Sequence, residues 1–398
     1  MNNAINNENK KLNVPNLRFK EFQGEWEKMR LDTFTERVMR KNKNNLSKLP
    51  LTISAQYGLV DQITFFNKVV ASTDLSNYYL LKKGEFAYNK SYSSDYPWGA
   101  IKRLDNYDQG ALSSLYICFV PQDNVVSDFI LQYFESPKWH KGISEIAVEG
   151  ARNHGLLNVA VQDFFHTYHY VPKDKKEQIK ISKLLMLLDE RIATQNKIID
   201  KLQSLIKGIV DSTILRKEKN AIVGDVCSIS EQIRAEANID DIITVRLHGN
   251  GVCKSSAENL QLGATQYYRR RAGQLIYGKQ NFHNGAIGIV PQSLDNGITS
   301  KDIPSFDIYD VKCNSAYLLA QLQSPQYYKP AEALTTGTGS KRLKEETFLK
   351  MPIVLPNKRE QDNIAILIYR ISVNLDQAKR MLDLYSIQKQ YLLRQMFI

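Results

Sequence analysis

Basic, amide and aromatic side chains gather in two sets whose chemistry suits a nucleic acid. The first holds Lys82, Lys83, Lys90, Tyr92, Lys102 and Arg103, followed by Arg152, Asn153 and His154. The second holds Arg269, Arg270, Arg271, Lys279, Asn281 and His283, followed by Lys341, Arg342 and Lys344. Lys and Arg neutralise phosphates, and Arg, Asn and Gln can bond bidentately to guanine or adenine edges in the major groove. Gly150 and Gly155 bracket the end of the first set, and Gly337 and Gly339 precede the end of the second. Glycines there suit loops that order on a ligand. A charged loop is also what a merely solvated surface looks like, but recurrence at matching positions favours a ligand. Tyr78, Tyr79, Tyr88 and their repeat partners are expected to pack in strands and cores rather than to stack on bases.

The tools of an enzyme are missing from the sequence. There is no GxxxxGK[ST] loop, and GTGSKR at Gly337–Arg342 lacks the spacing that wraps amides around phosphates. No strand-linked GxGxxG, adjacent Pro-Pro pair or Pro-Asp…Glu-x-Lys nuclease constellation occurs. His166 and His169 form an HxxH with no carboxylate or cysteine cluster beside it, so no metal site is expected. Asp189-Glu190-Arg191 reads as a solvated helix face. Cys118, Cys227, Cys253 and Cys313 are too scattered for a zinc site or a disulfide framework.

The elements that carry the two sets come from an internal repeat. YYLLKKGEFAYNK at Tyr78–Lys90 aligns with YYRRRAGQLIYGK at Tyr267–Lys279, and Ser136-Pro137 aligns with Ser324-Pro325. Gly155, Phe164 and Pro172 match Gly339, Phe348 and Pro356 at one constant offset, and Glu177-Gln178 matches Glu360-Gln361 after a single deletion. Within the first copy LPLTIS, GEFAYNK and SLYICFV read as strands, and VVSDFILQYFES as a helix ending before Pro137. The second copy repeats this with IITVRLH, GQLIYGK and GAIGIV, then the helix NSAYLLAQLQS.

Each copy leads into a long helical run. Steps of three and four place Ile181, Leu185, Leu188, Ile192, Ile199, Leu202, Ile206 and Ile209 on one seam, interrupted by Gln195. The matching seam is Ile364, Ile368, Ile371, Leu375, Leu382, Tyr385 and Leu392, with Ala378 opposite Gln195 and Lys389 opposite Ile206 in the alignment. A run from about Asp174 to Arg216 would be roughly 60 Å long. It exposes an apolar seam, and the second run can cover it. The fold expected is α+β: two duplicated α/β domains separated by an antiparallel pair of long coiled-coil helices, pseudo-twofold symmetric, with the domains at opposite ends of a rod. The boundaries expected are 1–13 for a disordered lead, 14–173 and 218–356 for the domains, and 174–217 and 357–398 for the helices. Packing is expected to be least regular at Gln195 and Lys389. The first helix ends KGIVDSTI where the second ends LLRQMFI, which predicts looser terminal contacts for the first.

The 398 residues carry a formal net charge of +11, which favours polyanionic partners. No apolar run approaches the ~18–20 residues that span a bilayer, and the polar, Asn-rich start is expected to be neither signal peptide nor anchor. A cytoplasmic protein with reduced thiols fits these features.

The doubled YY-x-x-[KR]-x-G-[EQ]-x-x-Y-x-K, the doubled Pro-x(3–4)-Glu-Gln leading into a long helix, and the terminal KRMLDLYSIQKQYLLRQMF together resemble the DNA-specificity (S) subunits of Type I restriction–modification systems. The resemblance runs from about Asn13 to Ile398. It implies that each domain is a target recognition domain reading one half of a split sequence in double-stranded DNA, and that the helices set the gap between the halves. It further implies two docked modification (methyltransferase) subunits using S-adenosylmethionine, and restriction subunits using ATP and Mg. The chain itself would hold no cofactor and perform no chemistry. A coiled-coil regulatory or scaffold protein with duplicated protein-binding domains is the alternative; a self-contained methyltransferase or nuclease lacks its motifs.

Overall fold

The computed structural model describes residues 12–68, 74–147, 155–255, 265–337 and 340–398. Most of the expected N-terminal lead, residues 1–11, lies outside them. The chain is α+β and divides into two compact units, Met1–Thr194 with Met381–Ile398, and Gln195–Arg380. Each unit therefore takes part of the first long helix, Lys175–Val210, and part of the second, Lys358–Gln395.

The two units repeat one topology. In the first, a four-stranded antiparallel sheet has the spatial order Thr35–Arg37, Ile117–Pro121, Phe86–Asn89, Ala100–Arg103. In the second the order is Cys227–Ile229, Ser305–Ile308, Leu275–Tyr277, Ile287–Ile289. A second sheet in unit 1 joins the hairpin Pro50–Ser54/Gly58–Asp61 in parallel to Gln109–Leu112, which pairs antiparallel with Tyr79–Lys82. Unit 2 reproduces this with the hairpin Ile243–Val245/Val252–Lys254, a parallel bridge from Ile242 to Ile298, and antiparallel pairing of Tyr267–Arg269 with Ile298–Ser300. The expected helices lie at Ser127–Glu135 and Ser315–Leu322.

The repeated tyrosine of Tyr-x-Lys shows why the motif recurs. Tyr88 and Tyr277 are wholly buried, and Phe164 and Phe348 pack on them at ring-centroid distances of 5.0 and 4.7 Å. A buried phenol needs a hydrogen-bond acceptor; Tyr88 donates to the Trp98 carbonyl and Tyr277 to that of Leu343. The repeated Glu-Gln has an equally local reason. Gln178 Nε2 donates to the Pro172 carbonyl while its Oε1 accepts from the Val126 amide, which precedes the helix Ser127–Glu135. Gln361 does the same with the Pro356 carbonyl and the Asn314 amide before Ser315–Leu322. Each glutamine thus satisfies backbone groups at two helix starts that would otherwise be orphaned. Glu177 is also buried, held by the Arg18 fork and the Trp26 indole N–H, whereas Glu360 is half-buried and pairs with Lys217.

Within unit 1 the end of the second long helix packs on the start of the first: Leu392, Leu393, Met396 and Phe397 share a core with Ile181, Leu185, Leu188, Trp26 and Phe129. Within unit 2 Val210 and Ile214 pack with Ile364, Ala365, Tyr317 and Val354. The helices therefore run antiparallel in each unit. Of the seam residues Ile181, Leu185, Leu188, Ile364, Ile371 and Leu392 are buried, and Ile192, Ile199, Leu202, Ile209, Ile368, Leu375, Leu382 and Tyr385 half-buried. Two expectations are corrected. The first helix does not end loosely, because it continues as a π-turn, Asp211–Leu215, that buries Ile214 as fully as Phe397. Nor is Lys389 a loose point, because it pairs with Asp189, which is consequently no plain solvated residue.

Among the described residues no helix is long and apolar enough to cross a membrane. No group of three His, Cys, Asp or Glu residues among them is placed to hold a metal ion.

Candidate nucleic-acid interface

The strand that ends in Tyr-x-Lys meets the segment after the Gly-flanked loop in both units. In unit 1 the Lys90 carbonyl accepts from the Leu157 amide, and the Tyr92 amide donates to the Gly155 carbonyl at 3.0 Å. A bridge between Ser91 and Leu156 completes the contact, Lys90 Nζ lies 3.5 Å from the Val159 carbonyl, and the Tyr92 ring is half exposed. Gly155 has φ +66°, a conformation that glycine adopts without strain. Arg152, Asn153 and His154 lie outside the described residues. Their neighbour Gly155 is nonetheless brought to Lys90 and Tyr92, which stand more than sixty residues away in sequence.

Lys102 and Arg103 stand apart from this edge. Lys102 pairs with Glu135 at 2.6 Å, and Arg103 with Asp105 and Asp128 at 2.7 and 2.8 Å. Both side chains are nearly buried, in a polar cleft of about 440 Å³ that also includes Gln132, Asp189 and Lys389. They are neutralised by the helix Ser127–Glu135 rather than presented with Lys90.

In unit 2 the Lys279 carbonyl accepts from the Leu343 amide, and Lys279 Nζ lies 2.6 Å from Glu345. Arg342 and Thr336 exchange backbone hydrogen bonds at 2.9 and 3.0 Å, which pins Arg342 beside Lys279. A cavity of about 640 Å³ opens between Lys279, Thr336, Gly337, Ser340, Arg342, Lys344 and Glu345. The Arg342 guanidinium donates through Nε and Nη2 to Asp302, and Lys341 pairs with Glu332 at 3.4 Å. Lys344 is exposed at the start of the helix Glu345–Leu349. Asn281 and His283 lie in the turn that follows Lys279 and ends at Gly285, φ +75°. His283 Nδ1 is buried without a partner.

Two residues here escaped the sequence reading. Arg270 is not part of an exposed basic run but wholly buried, donating to the Thr299 and Ser305 hydroxyls and the Ile303 carbonyl. Burial pushes its guanidinium down to about 10, so it remains charged at neutral pH. Strand alternation gave no signal for it, because it sets Arg270 on the face opposite the buried Tyr267. Asp302, the partner of Arg342, carried no signal, since its role depends on a contact across forty residues.

The chain is similar over 97% of its length to the crystal structure of a Type I restriction–modification system S subunit from M. genitalium. It covers 99% of that chain, with a TM-score of 0.60 and 13% identity. A second solved structure, described as "Structural basis underlying complex assembly and conformational transition of the type I R-M system", matches with a TM-score of 0.50 and 14% identity. That match covers 92% of this chain and 96% of the other. No family model and no curated protein matches. At such identities the likeness establishes the fold, and this chain has the fold of a Type I S subunit.

Proposed function

We propose that the chain is the sequence-specific DNA-binding subunit of a Type I restriction–modification complex in the cytoplasm. Residues 14–173 and 218–356 are its two target recognition domains, each reading one half of a bipartite target. Residues 174–217 and 357–398 are the helices that set the spacer. The observation that carries this reading is an S-subunit fold in which the Tyr-x-Lys strand meets the segment after the Gly-flanked loop in both units, Lys90 with Leu157 and Lys279 with Leu343.

The outer faces of the helices support the rest of the reading. Ile179, Leu187, Ile198 and Leu205 on the first, and Ile366, Tyr369, Leu384, Ile387 and Tyr391 on the second, are exposed. Exposed apolar stripes are what partner subunits cover, and two modification subunits dock there in this reading. Methylation with S-adenosylmethionine and ATP- and Mg-dependent cleavage belong to those modification and restriction subunits, and this chain performs no reaction.

The test is binding of the full chain to duplex DNA across a salt series. Phosphate contacts require affinity to fall log-linearly as salt rises. Binding absent at low salt, or insensitive to salt, would favour a protein scaffold instead.

A further inference from the structure

Arg342 and Asp302 form a two-point ion pair on the unit 2 edge. Nε and Nη2 of Arg342 lie 3.2 and 3.1 Å from the two carboxylate oxygens of Asp302, which is the parallel fork geometry. Neither residue is free to follow the other. The Arg342 backbone is held twice by Thr336, and the Asp302 carbonyl accepts from the Lys279 amide at 2.9 Å. The turn that carries Asp302 is fixed from below by Arg270, whose guanidinium bonds to Thr299, Ile303 and Ser305. Both side chains are nevertheless open to solvent, 42% for Arg342 and 49% for Asp302. A pair so exposed adds little to stability, so its consequence is geometric.

Resting on the DNA-reading function, we infer that Arg342 reads a guanine in the half-site of the second domain and that Asp302 is its positioning residue. Asp302 occupies one edge of the fork and leaves Nη1 with the second hydrogen of Nη2 as the other edge. That edge presents two parallel N–H donors in one plane, which is the complement of guanine O6 and N7. The carboxylate also argues against a phosphate as the ligand, because it offsets the charge that attracts phosphate while leaving directional hydrogen bonding intact. Lys344, exposed two residues on, supplies unoriented charge for the backbone.

The experiment is selection of duplexes from a randomised library by the full chain, sequenced for the wild type, Asp302→Ala, Asp302→Glu and Arg342→Gln. The wild type is expected to select a guanine at one position. Asp302→Ala and Arg342→Gln should each relax that one preference by about tenfold or more, with the other positions kept. Asp302→Glu should restore part of it, which a merely structural role would not produce. If Asp302→Ala lacks a cooperative melt, Asp302→Asn takes its place. An unchanged preference in the Asp302 variants overturns the positioning role. A uniform loss across all sequences in Arg342→Gln makes Arg342 a phosphate contact and overturns the guanine assignment. A wild-type chain that selects nothing removes the DNA-reading function itself.

Discussion

Lys389 Nζ lies 2.5 Å from Asp189 Oδ1, tying the last turns of the second long helix to the first. Gln132 Nε2 donates to the other carboxylate oxygen at 2.9 Å. The repeat supplies the control. The residues of unit 2 that align with Lys389, Asp189 and Gln132 are Ile206, Ser372 and Ala320, which line an apolar cavity of about 430 Å³. One position in the fold is thus a charged lock in one unit and an apolar surface in the other. Lys389→Ala should destabilise by about 1 kcal/mol, a modest figure because the Asp189 side chain is 40% exposed. The pair Lys389→Ile with Asp189→Ser, which copies unit 2, should recover most of that loss. Denaturant midpoints of the single and double variants check it; an additive double variant would mean the two residues are not coupled.

Removing the repeated glutamines should cost more. Gln178 and Gln361 are each buried, and each bonds to a backbone amide and a proline carbonyl. Truncation to Ala leaves both backbone groups without partners in the interior. The expected loss is about 2–6 kcal/mol per site, the sum of two unsatisfied polar groups at about 1–3 kcal/mol each. Unfolding of Gln178→Ala and Gln361→Ala followed by circular dichroism measures it.

Acid stability should carry the signature of one histidine. His169 is wholly buried between the Tyr133 and Thr167 hydroxyls, 2.9 and 2.8 Å from its two ring nitrogens. Burial pushes its imidazole down to about 3. Between that value and the unfolded value near 6.5, the unfolded chain binds the extra proton. Stability is therefore whole above about 6.5 and falls as pH drops through the window, by at most about 1.4 kcal/mol per pH unit from this residue. His169→Gln should flatten that slope in unfolding titrations; an unaltered slope would mean that the acid sensitivity does not come from His169.

Periodicity makes much of the fold legible in the sequence. The seam from Ile181 to Leu392 follows from steps of three and four, and the repeat makes Tyr88 and Tyr277 recognisable as equivalent residues. Pairings between distant residues are not legible. Lys389 and Asp189 are two hundred positions apart, so a lysine in an apolar seam reads as a flaw. Lys102 and Arg103 read as interface cations, because Glu135 and Asp128, which pair with them, sit on another element. Burial inverts the reading of Arg270 for the same reason.

Lys102, nearly buried in its pair with Glu135, is expected to hold the fold, and the exposed Lys344 to meet DNA. Lys344→Ala should weaken duplex binding by a similar factor for every sequence and lower the salt slope by about 1. Lys102→Ala should leave both unchanged and instead cost stability, since the partly buried Glu135 loses its partner. Anisotropy titrations at several salt concentrations, with melts of the same samples, distinguish them. A Lys102→Ala variant that lowers the salt slope would return that residue to the interface.

Helix length should appear in the DNA target. A heptad of α-helix advances about 10 Å, which is close to three base pairs of B-form DNA at about 3.4 Å each. Deleting seven residues from both long helices keeps the seam in phase, because seven residues fall only about 20° short of two turns. The deletions belong where exposed positions flank half-buried seam residues, at Thr194–Asp200 and, from the aligned stretch, Gln377–Asp383. The two half-sites should then survive unaltered while the spacer shortens by about three base pairs. Methylome sequencing of cells carrying the shortened chain with its modification subunits reads this directly. An unchanged spacer would mean that something other than the helices fixes the distance between the two reading edges.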